Sequence, residues 1–186
     1  MKSNQFIQPD NTALLVVDIQ ERLMRVIHDR EMVAKNAALL IKTASVLKLP
    51  QLATTQYAEK IGPLIPEVLA ELGPIPVDDK LEFNALANPA IGQRIKSLPS
   101  SVDTLVICGV ETHICIYQTV VGALSMGYDV RVVADAVSSR DKRNRKIGLA
   151  RIREVGAVIV STEMIIYELL GRAGTPHFKA LLPFMK

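Results

Sequence analysis

The sequence predicts an α/β fold in which three layers, α/β/α, surround a mostly parallel sheet of about six strands. Short apolar runs alternate along the chain with amphipathic stretches of helical length, which is the pattern of βαβ units. The runs are continuously apolar, and this indicates strands that are covered on both faces. With 186 residues, 49% of them hydrophobic, we expect a single domain over residues 1–186 that needs no disulfide or metal to close its core.

The predicted strands are the apolar runs that end at a polar residue or a glycine. The first run is aliphatic and stops at Asp18, and the fifth is expected to stop at Asp135. The fourth precedes Gly109, where the chain is expected to turn. The six predicted strands cover residues 13–17, 50–55, 75–79, 102–108, 129–134 and 157–160.

The predicted helices are the stretches whose apolar residues recur at helical spacing. Over 31–47 these include Val33, Ala37 and Leu40, and the helix over 112–126 is followed by Gly127 as its C-terminal cap. The segment 62–72 is expected to be a loop with a short helix. Further helices are predicted over residues 88–98, 142–155, 162–170 and 175–183.

Composition excludes several classes of protein. The net charge is +3, from 22 basic and 19 acidic residues, which is too balanced to indicate nucleic-acid binding, and the basic stretch 140–146 is interpreted as a solvated loop and first helical turn. No apolar run approaches the ~20 residues that span a bilayer, and because the segment 1–11 is polar we expect no secretory signal there. The two cysteines form no CxxC pair, so we expect a reducing, cytoplasmic setting.

The candidate functional residues are polar side chains at predicted strand ends. Asp18 follows the first strand, Lys80 the third, Cys115 comes shortly after the fourth, and Asp135 follows the fifth. Ligands of open parallel sheets bind outside the carboxyl ends of the strands, so these groups are expected to converge on one edge. Each alone is unremarkable, since an aspartate after a strand is a common helix cap or turn former.

Cys115 lies where a buried strand turns into a helix. The positive end of a helix can hold a thiol as thiolate, the nucleophilic form, and nearby N–H groups can hold the oxyanion formed when it attacks a carbonyl. The alternative is a small apolar side chain packed beneath the helix. Cys108, inside the strand pattern, is interpreted as core.

Four segments resemble motifs of the isochorismatase-like cysteine hydrolases, in the same order and over nearly the full chain. They are Leu-Leu-Val-Val-Asp-Ile-Gln at 14–20, Lys-Leu-Glu-Phe-Asn-Ala at 80–85, Gly-Val-Glu-Thr-His-Ile-Cys at 109–115 and Asp-Ala-Val-Ser-Ser-Arg at 135–140. Thr-Gln-Tyr at 55–57 is similar to the short isochorismatase-domain-containing branch.

The resemblance implies an isochorismatase-like hydrolase fold with a Rossmann-like sheet, and a catalytic triad of Asp18, Lys80 and Cys115. It also implies a cis peptide bond between Val110 and Glu111. The backbone N–H groups of Glu111 and Cys115 would then form the oxyanion hole, and a homo-oligomer is expected.

The mechanism that follows is hydrolysis of a small-molecule carbonyl substrate, an amide C–N bond above all, through a thioester on Cys115. Asp18 takes the thiol proton, and Lys80 favours the thiolate by its charge. Two alternatives remain open at this point: a catalytically silent binding protein on the same fold, and a redox sensor that uses the same thiol.

No metal or other cofactor is expected. The zinc ligands of the related nicotinamidases, an Asp-x-His pair and a second His, have no match at 54–57, and the three histidines are far apart in the chain. No Gly-rich loop opens the first helix, which speaks against a dinucleotide.

Each candidate for substrate contact also has a possible structural role. Tyr57 and Phe83 either wall the pocket or pack in the core, Gln20 either turns toward the site or begins a helix, and His113 either lines the pocket or has a local structural role. Thr112, beside the nucleophile segment, completes the set.

Overall fold

A parallel β-sheet forms the centre of the structure. The computed structural model describes residues 5–185; residues 1–4, which belong to the polar segment 1–11 and to the predicted domain, and Lys186 lie outside the described residues. Within 5–185 the sheet has six strands in the order β3-β2-β1-β4-β5-β6, and every neighbouring pair is parallel. The strands are β1 (Thr12–Val17), β2 (Gln51–Gln56), β3 (Val77–Lys80), β4 (Thr104–Val110), β5 (Asp129–Ser138) and β6 (Val158–Val160).

Helices cover both faces of the sheet, so the predicted α/β/α fold is confirmed. The α-helices are α1 (Glu21–Met24), α2 (Arg30–Leu47), α3 (Ala58–Ile61), α4 (Pro66–Leu72), α5 (Pro89–Lys96), α6 (Tyr117–Ser125), α7 (Lys142–Glu154), α8 (Thr162–Leu170) and α9 (Pro176–Leu181). Apolar side chains of α2, α4 and α8 pack on one face of the sheet, and those of α5, α6 and α7 pack on the other. Two hydrophobic cores therefore sandwich strands that are buried on both sides.

The strand order reverses between β1 and β4. From β1 the chain adds β2 and β3 on one side, then returns to place β4, β5 and β6 on the other. Such a reversal opens a crevice at the carboxyl ends of the two central strands, which is where ligands of this sheet type bind. Asp18 follows β1 directly and Cys115 lies five residues after the end of β4, so both lie at the point where the strand order reverses.

Strand β5 is longer than predicted. The expectation that Asp135 ends the strand is wrong, because β5 continues to Ser138. The Asp135 carboxylate accepts hydrogen bonds from the Thr162 N–H (2.8 Å) and Thr162 Oγ1 (2.9 Å) at the start of α8. The Asp135 carboxylate is therefore hydrogen-bonded to α8, and Asp135 has a structural role away from the predicted site.

The helix predicted over 112–126 begins as a π-helix. Residues Thr112–Ile116 have π geometry and continue into α6, which precedes Gly127 with φ +88°. π turns of this kind are frequent at functional sites, and this one contains Cys115. The four-residue helices α1 and α3 are too short to show helical periodicity, and they were not predicted.

Gly109 allows β4 and β1 to approach each other at the carboxyl edge. Its φ is +126°, and a Cβ at this position would lie 1.9 Å from the carbonyl oxygen of Val17. Only glycine fits this backbone and this gap. The close approach brings the chain that leads to Cys115 against the strand that leads to Asp18.

Candidate active site

The centre of the candidate site is a buried ion pair. Lys80 Nζ lies 2.6 Å from Asp18 Oδ2, and both side chains are 0% exposed. Thr54 Oγ1 donates to the other carboxylate oxygen, Asp18 Oδ1, at 2.7 Å. Both oxygens of the carboxylate thus have a donor, as a buried charge requires. Asp18 itself has φ +55°, a left-handed conformation that aspartate tolerates better than most residues.

Gln56 joins this ion pair to the cysteine. Its Oε1 accepts a hydrogen bond from Lys80 Nζ at 2.7 Å, and Cys115 Sγ lies 3.9 Å from the same oxygen. Its Nε2 donates to the carbonyl oxygen of Leu81 at 2.8 Å, which fixes the orientation of the amide. The Gln56 amide at the end of β2 therefore contacts both the sulfur and the ammonium, and the ammonium in turn contacts the carboxylate.

Gln56 is a site residue that the sequence interpretation missed. In the sequence it stands out only as the middle residue of Thr-Gln-Tyr at 55–57. Its signal is the register of the sheet, since Gln56 pairs with Lys80 across β2 and β3. Two residues that pair across neighbouring strands point their side chains to the same face of the sheet.

The Cys115 thiol is buried, and its residue is only 6% exposed. Burial raises the pKa of Cys115 to about 12; the negative charge of Asp18 also raises it, while the positive charge of Lys80 lowers it. The position at the start of a helix therefore does not bring the pKa of this thiol below its usual value, because loss of solvent is the largest effect on it. The resting group is a thiol that lies 3.9 Å from Gln56 Oε1 and close to the Asp18 carboxylate, so it needs a base at the moment of attack.

The Val110–Glu111 peptide bond, directly before the π-helix, is cis. The Glu111 backbone N–H lies near the Cys115 sulfur and lowers the pKa of that thiol. The Glu111 carboxylate is occupied elsewhere: it accepts from the Arg140 N–H at 2.8 Å and from Arg140 Nε at 3.0 Å. The backbone of Glu111 is thus available to the site, and its side chain anchors the loop after β5.

The predicted substrate-contact residues fall into different environments. Tyr57 and Phe83 are 41% and 52% exposed, so the alternative that they pack in the core is wrong. Thr112 is buried, and its Oγ1 has no hydrogen-bond partner among residues 5–185. His113 Nδ1 lies 3.0 Å from Ser139 Oγ, which gives this ring a local structural contact.

Gln20 has no group left for a substrate. It is 0% exposed and precedes α1 as its N-cap residue. Its Nε2 donates to the carbonyl oxygens of Gln56 (3.1 Å) and Gly62 (2.7 Å), and its Oε1 accepts from the Gln56 N–H at 2.7 Å. Both amide protons are used, so the prediction of substrate contact is wrong for this residue.

In the part of the chain that the structure describes, no group of three or more His, Cys, Asp and Glu side chains is placed to hold a metal ion. Over the same residues, no helix has the length and apolar character needed to cross a bilayer.

Comparison with known proteins relates the chain to one family. The model of the isochorismatase domain matches residues 12–164. The secreted isochorismatase effector Isc1 of Phytophthora sojae is 35% identical over 181 residues, which cover 96% of this chain and 86% of that protein. Isochorismatase domain-containing protein 2 of Bos taurus is also 35% identical over 181 residues, with 97% and 85% covered.

Solved structures show the same fold. The MAR1 ribonuclease from Caenorhabditis elegans superposes with a TM-score of 0.90 and 30% identity, over 97% of this chain and 92% of that one. YcaC from Pseudomonas aeruginosa, solved with hexane-2,5-diol and covalent acrylamide, gives 0.89 and 26%, over 97% and 92%. The YcaC gene product from Escherichia coli, described as an octameric hydrolase of unknown specificity, gives 0.88 and 25%, over 96% and 89%.

Proposed function

The chain belongs to the isochorismatase family of hydrolases, and from that premise we propose that it hydrolyses a small carbonyl compound, an amide C–N bond above all, with Cys115 as nucleophile. We take residues 1–186 as one domain that carries the whole site. The observation that carries the proposal is the meeting of the Asp18–Lys80 pair with the Cys115 sulfur around the Gln56 amide. A carboxylate beside a protonated thiol is the arrangement of a general base and its nucleophile.

Acylation begins with the thiol in its protonated form. Asp18 takes the proton as Cys115 Sγ attacks the carbonyl carbon, and the carbonyl oxygen becomes an oxyanion. The Glu111 and Cys115 backbone N–H groups are the donors proposed to hold that oxyanion. The C–N bond then breaks, the amine leaves with the proton from Asp18, and the acyl group remains on sulfur as a thioester.

Deacylation reverses the proton transfer. Asp18 takes a proton from water, the resulting hydroxide attacks the thioester carbonyl, and the sulfur leaves as the carboxylic acid forms. The proton returns to Cys115, so the enzyme regenerates its resting state without a cofactor. Lys80 stays beside Asp18 throughout and offsets the negative charge that moves between carboxylate and sulfur.

The redox-sensor alternative is disfavoured by the environment of the thiol. Oxidation-sensing cysteines are accessible and have a low pKa, whereas burial raises the pKa of Cys115 to about 12. A silent binding protein would gain nothing from a buried ion pair, which stabilises a fold less than apolar packing of the same volume. Both arguments favour the hydrolase.

Relatives support the setting of the proposal. YcaC from Pseudomonas aeruginosa was solved with covalent acrylamide, so one neighbour forms a covalent bond with this compound. Thiolates add to the carbon–carbon double bond of acrylamide, which makes it a probe of thiol reactivity at Cys115 and leaves amide cleavage to a separate test. We also propose a homo-oligomer, because the Escherichia coli neighbour is octameric. The two free cysteines, Cys108 and Cys115, favour a cytoplasmic site of action.

The test is turnover of a panel of small amides and esters by the wild-type protein and two cysteine variants. Cys115→Ala is expected to lose at least about 10³-fold in kcat/KM, since the nucleophile is gone. Cys108→Ala is the matched control, because Cys108 is buried in β4 and outside the site, and it is expected to retain wild-type turnover. Undiminished hydrolysis by Cys115→Ala would refute the proposal.

A further inference from the structure

Gln20 carries an arrangement that the proposed mechanism does not use. Its side chain is completely buried, and its amide binds both backbone polar groups of one residue, Gln56: Oε1 accepts from the Gln56 N–H at 2.7 Å and Nε2 donates to the Gln56 carbonyl at 3.1 Å. This is the pairing that a neighbouring β-strand would supply. It holds the backbone of Gln56 in place two residues beyond Thr54, which forms the last register pair of β2 with β1.

The same amide ties a second segment to the site. Gln20 Nε2 donates to the Gly62 carbonyl at 2.7 Å. Two backbone bonds reinforce this contact, from the Glu21 N–H to the Pro63 carbonyl (3.0 Å) and from the Ile65 N–H to the Ile19 carbonyl (2.9 Å). The chain from Tyr57 to Ile65, which leaves the site directly after Gln56, is thereby fixed to the chain that follows Asp18.

Because Gln20 fixes the backbone of Gln56, it also determines where the Gln56 side chain lies. Gln56 Oε1 binds Lys80 Nζ at 2.7 Å and lies 3.9 Å from Cys115 Sγ. A shift of the Gln56 backbone would move this oxygen and release one of the two contacts that hold the ammonium, the other being Asp18. The charged groups that face the sulfur, Asp18 and Lys80, would then change their positions relative to it.

We propose that Gln20 is a positioning residue for the nucleophile: through the backbone of Gln56 it holds Lys80 against Asp18 and Cys115. The inference rests on the proposed function, because it assigns Gln20 to the support of a reactive thiol. The Gln20 amide binds backbone groups of Gln56 and Gly62. It acts by keeping the one amide that joins the ion pair to Cys115 at a fixed place and angle.

The test is the rate at which acrylamide alkylates each cysteine of the folded protein, resolved by peptide mass spectrometry. Gln20→Met keeps the side-chain length and removes all three hydrogen bonds. We expect Cys115 to react about 10-fold more slowly than in the wild type, the effect of about one pKa unit less stabilisation of the thiolate. Cys108, buried in β4, is expected to stay unreactive in both proteins.

A purely structural role predicts the opposite sign. If Gln20 only stabilised the fold, its loss would loosen the protein, and both cysteines would react faster. An unchanged or faster Cys115 in folded Gln20→Met would therefore overturn the inference. Gln51→Met is the matched control, since Gln51 lies at the other end of β2 and donates to Ser45 Oγ at 3.0 Å; it is expected to leave both rates unchanged.

A second measurement tests the inference if Gln20→Met does not fold, or if Cys115 of the wild-type protein does not react with acrylamide. Gln20→Glu keeps an acceptor for the Gln56 N–H at the same reach but has no amide donor for the two carbonyls. In nuclear magnetic resonance, the side-chain amide protons of Gln56 are expected to exchange with solvent at least about 10-fold faster in either variant than in the wild type. Unchanged exchange would overturn the inference. A wild-type Cys115 that never reacts, with the expected exchange, would count against the proposed function alone.

Discussion

Replacing Lys80 by methionine tests the buried ion pair that organises the site. Methionine keeps most of the side-chain volume but removes the ammonium, so Asp18 is left buried without its counter-charge. At 2.6 Å the attraction is about 6 kcal/mol for an effective dielectric constant of about 20, and desolvation offsets part of it. Removing one partner of such a pair costs about 3–5 kcal/mol of unfolding free energy, which for a chain of this size lowers Tm by roughly 6–20 °C.

The assay is thermal unfolding at pH 7, followed by circular dichroism. The control is a variant of an exposed ion pair whose N–O distance is similar. Lys60 Nζ lies 2.8 Å from Glu59 Oε1, but the two side chains are 61% and 74% exposed, so Lys60→Met should cost less than about 1 kcal/mol. The double variant Asp18→Asn/Lys80→Met should recover part of the loss, because no unpaired charge remains. If Lys80→Met melted at the same temperature as Lys60→Met, the buried pair would not have the weight that we assign to it.

Three further predictions follow from the same geometry. Asp18→Asn removes the proposed base that takes the Cys115 proton, so hydrolysis should fall by at least about 10²-fold, the usual loss for a general base; undiminished hydrolysis would contradict the assigned role. Burial raises the pKa of Cys108 from its ordinary 9.0 to about 12, so the folded state holds this proton more tightly than the unfolded state. The free energy of unfolding should therefore fall as pH rises from 9 toward 12, less steeply in Cys108→Ala, and parallel curves for the two proteins would contradict this. Gly109→Ala places a Cβ 1.9 Å from a backbone oxygen of β1 at φ +126° and should lower the free energy of unfolding by at least about 3 kcal/mol. Gly62→Ala, with φ +93° and no atom within 4 Å of the added Cβ, should lower it by about 1–2 kcal/mol through backbone strain. Equal losses for the two variants in chemical denaturation would refute the steric argument.

The sheet could be predicted because local patterns in the sequence mark its strands. A run of aliphatic residues and its polar stop mark β1 and β4 within two residues of their observed bounds, Thr12–Val17 and Thr104–Val110. The placement of Asp18 and Lys80 at one edge then follows from the common direction of parallel strands. The length of β5 could not be predicted, since an aspartate that ends a strand and one that caps a distant helix look alike in sequence.

The internal contacts of the site depend on tertiary structure. Gln56 faces Lys80 because of the register between β2 and β3, which no local pattern specifies. Gln20 turns toward backbone groups because the chain from Tyr57 to Ile65 returns to it. The pKa of Cys115 is raised because the folded chain removes water from around the sulfur, whereas sequence alone shows only a helix N-terminus. Register, chain return and desolvation are therefore the three properties that required the structure.

The most direct measurement of the central claim is the mass of the Cys115 peptide after acid quenching during turnover of an activated ester. The leaving group of such an ester departs easily, so hydrolysis of the thioester becomes the slow step. The account predicts the acyl group on the Cys115 peptide at each early time point, none on the Cys108 peptide, and none on any peptide of Cys115→Ala. Steady product formation with the Cys115 peptide unmodified at every time point would contradict it.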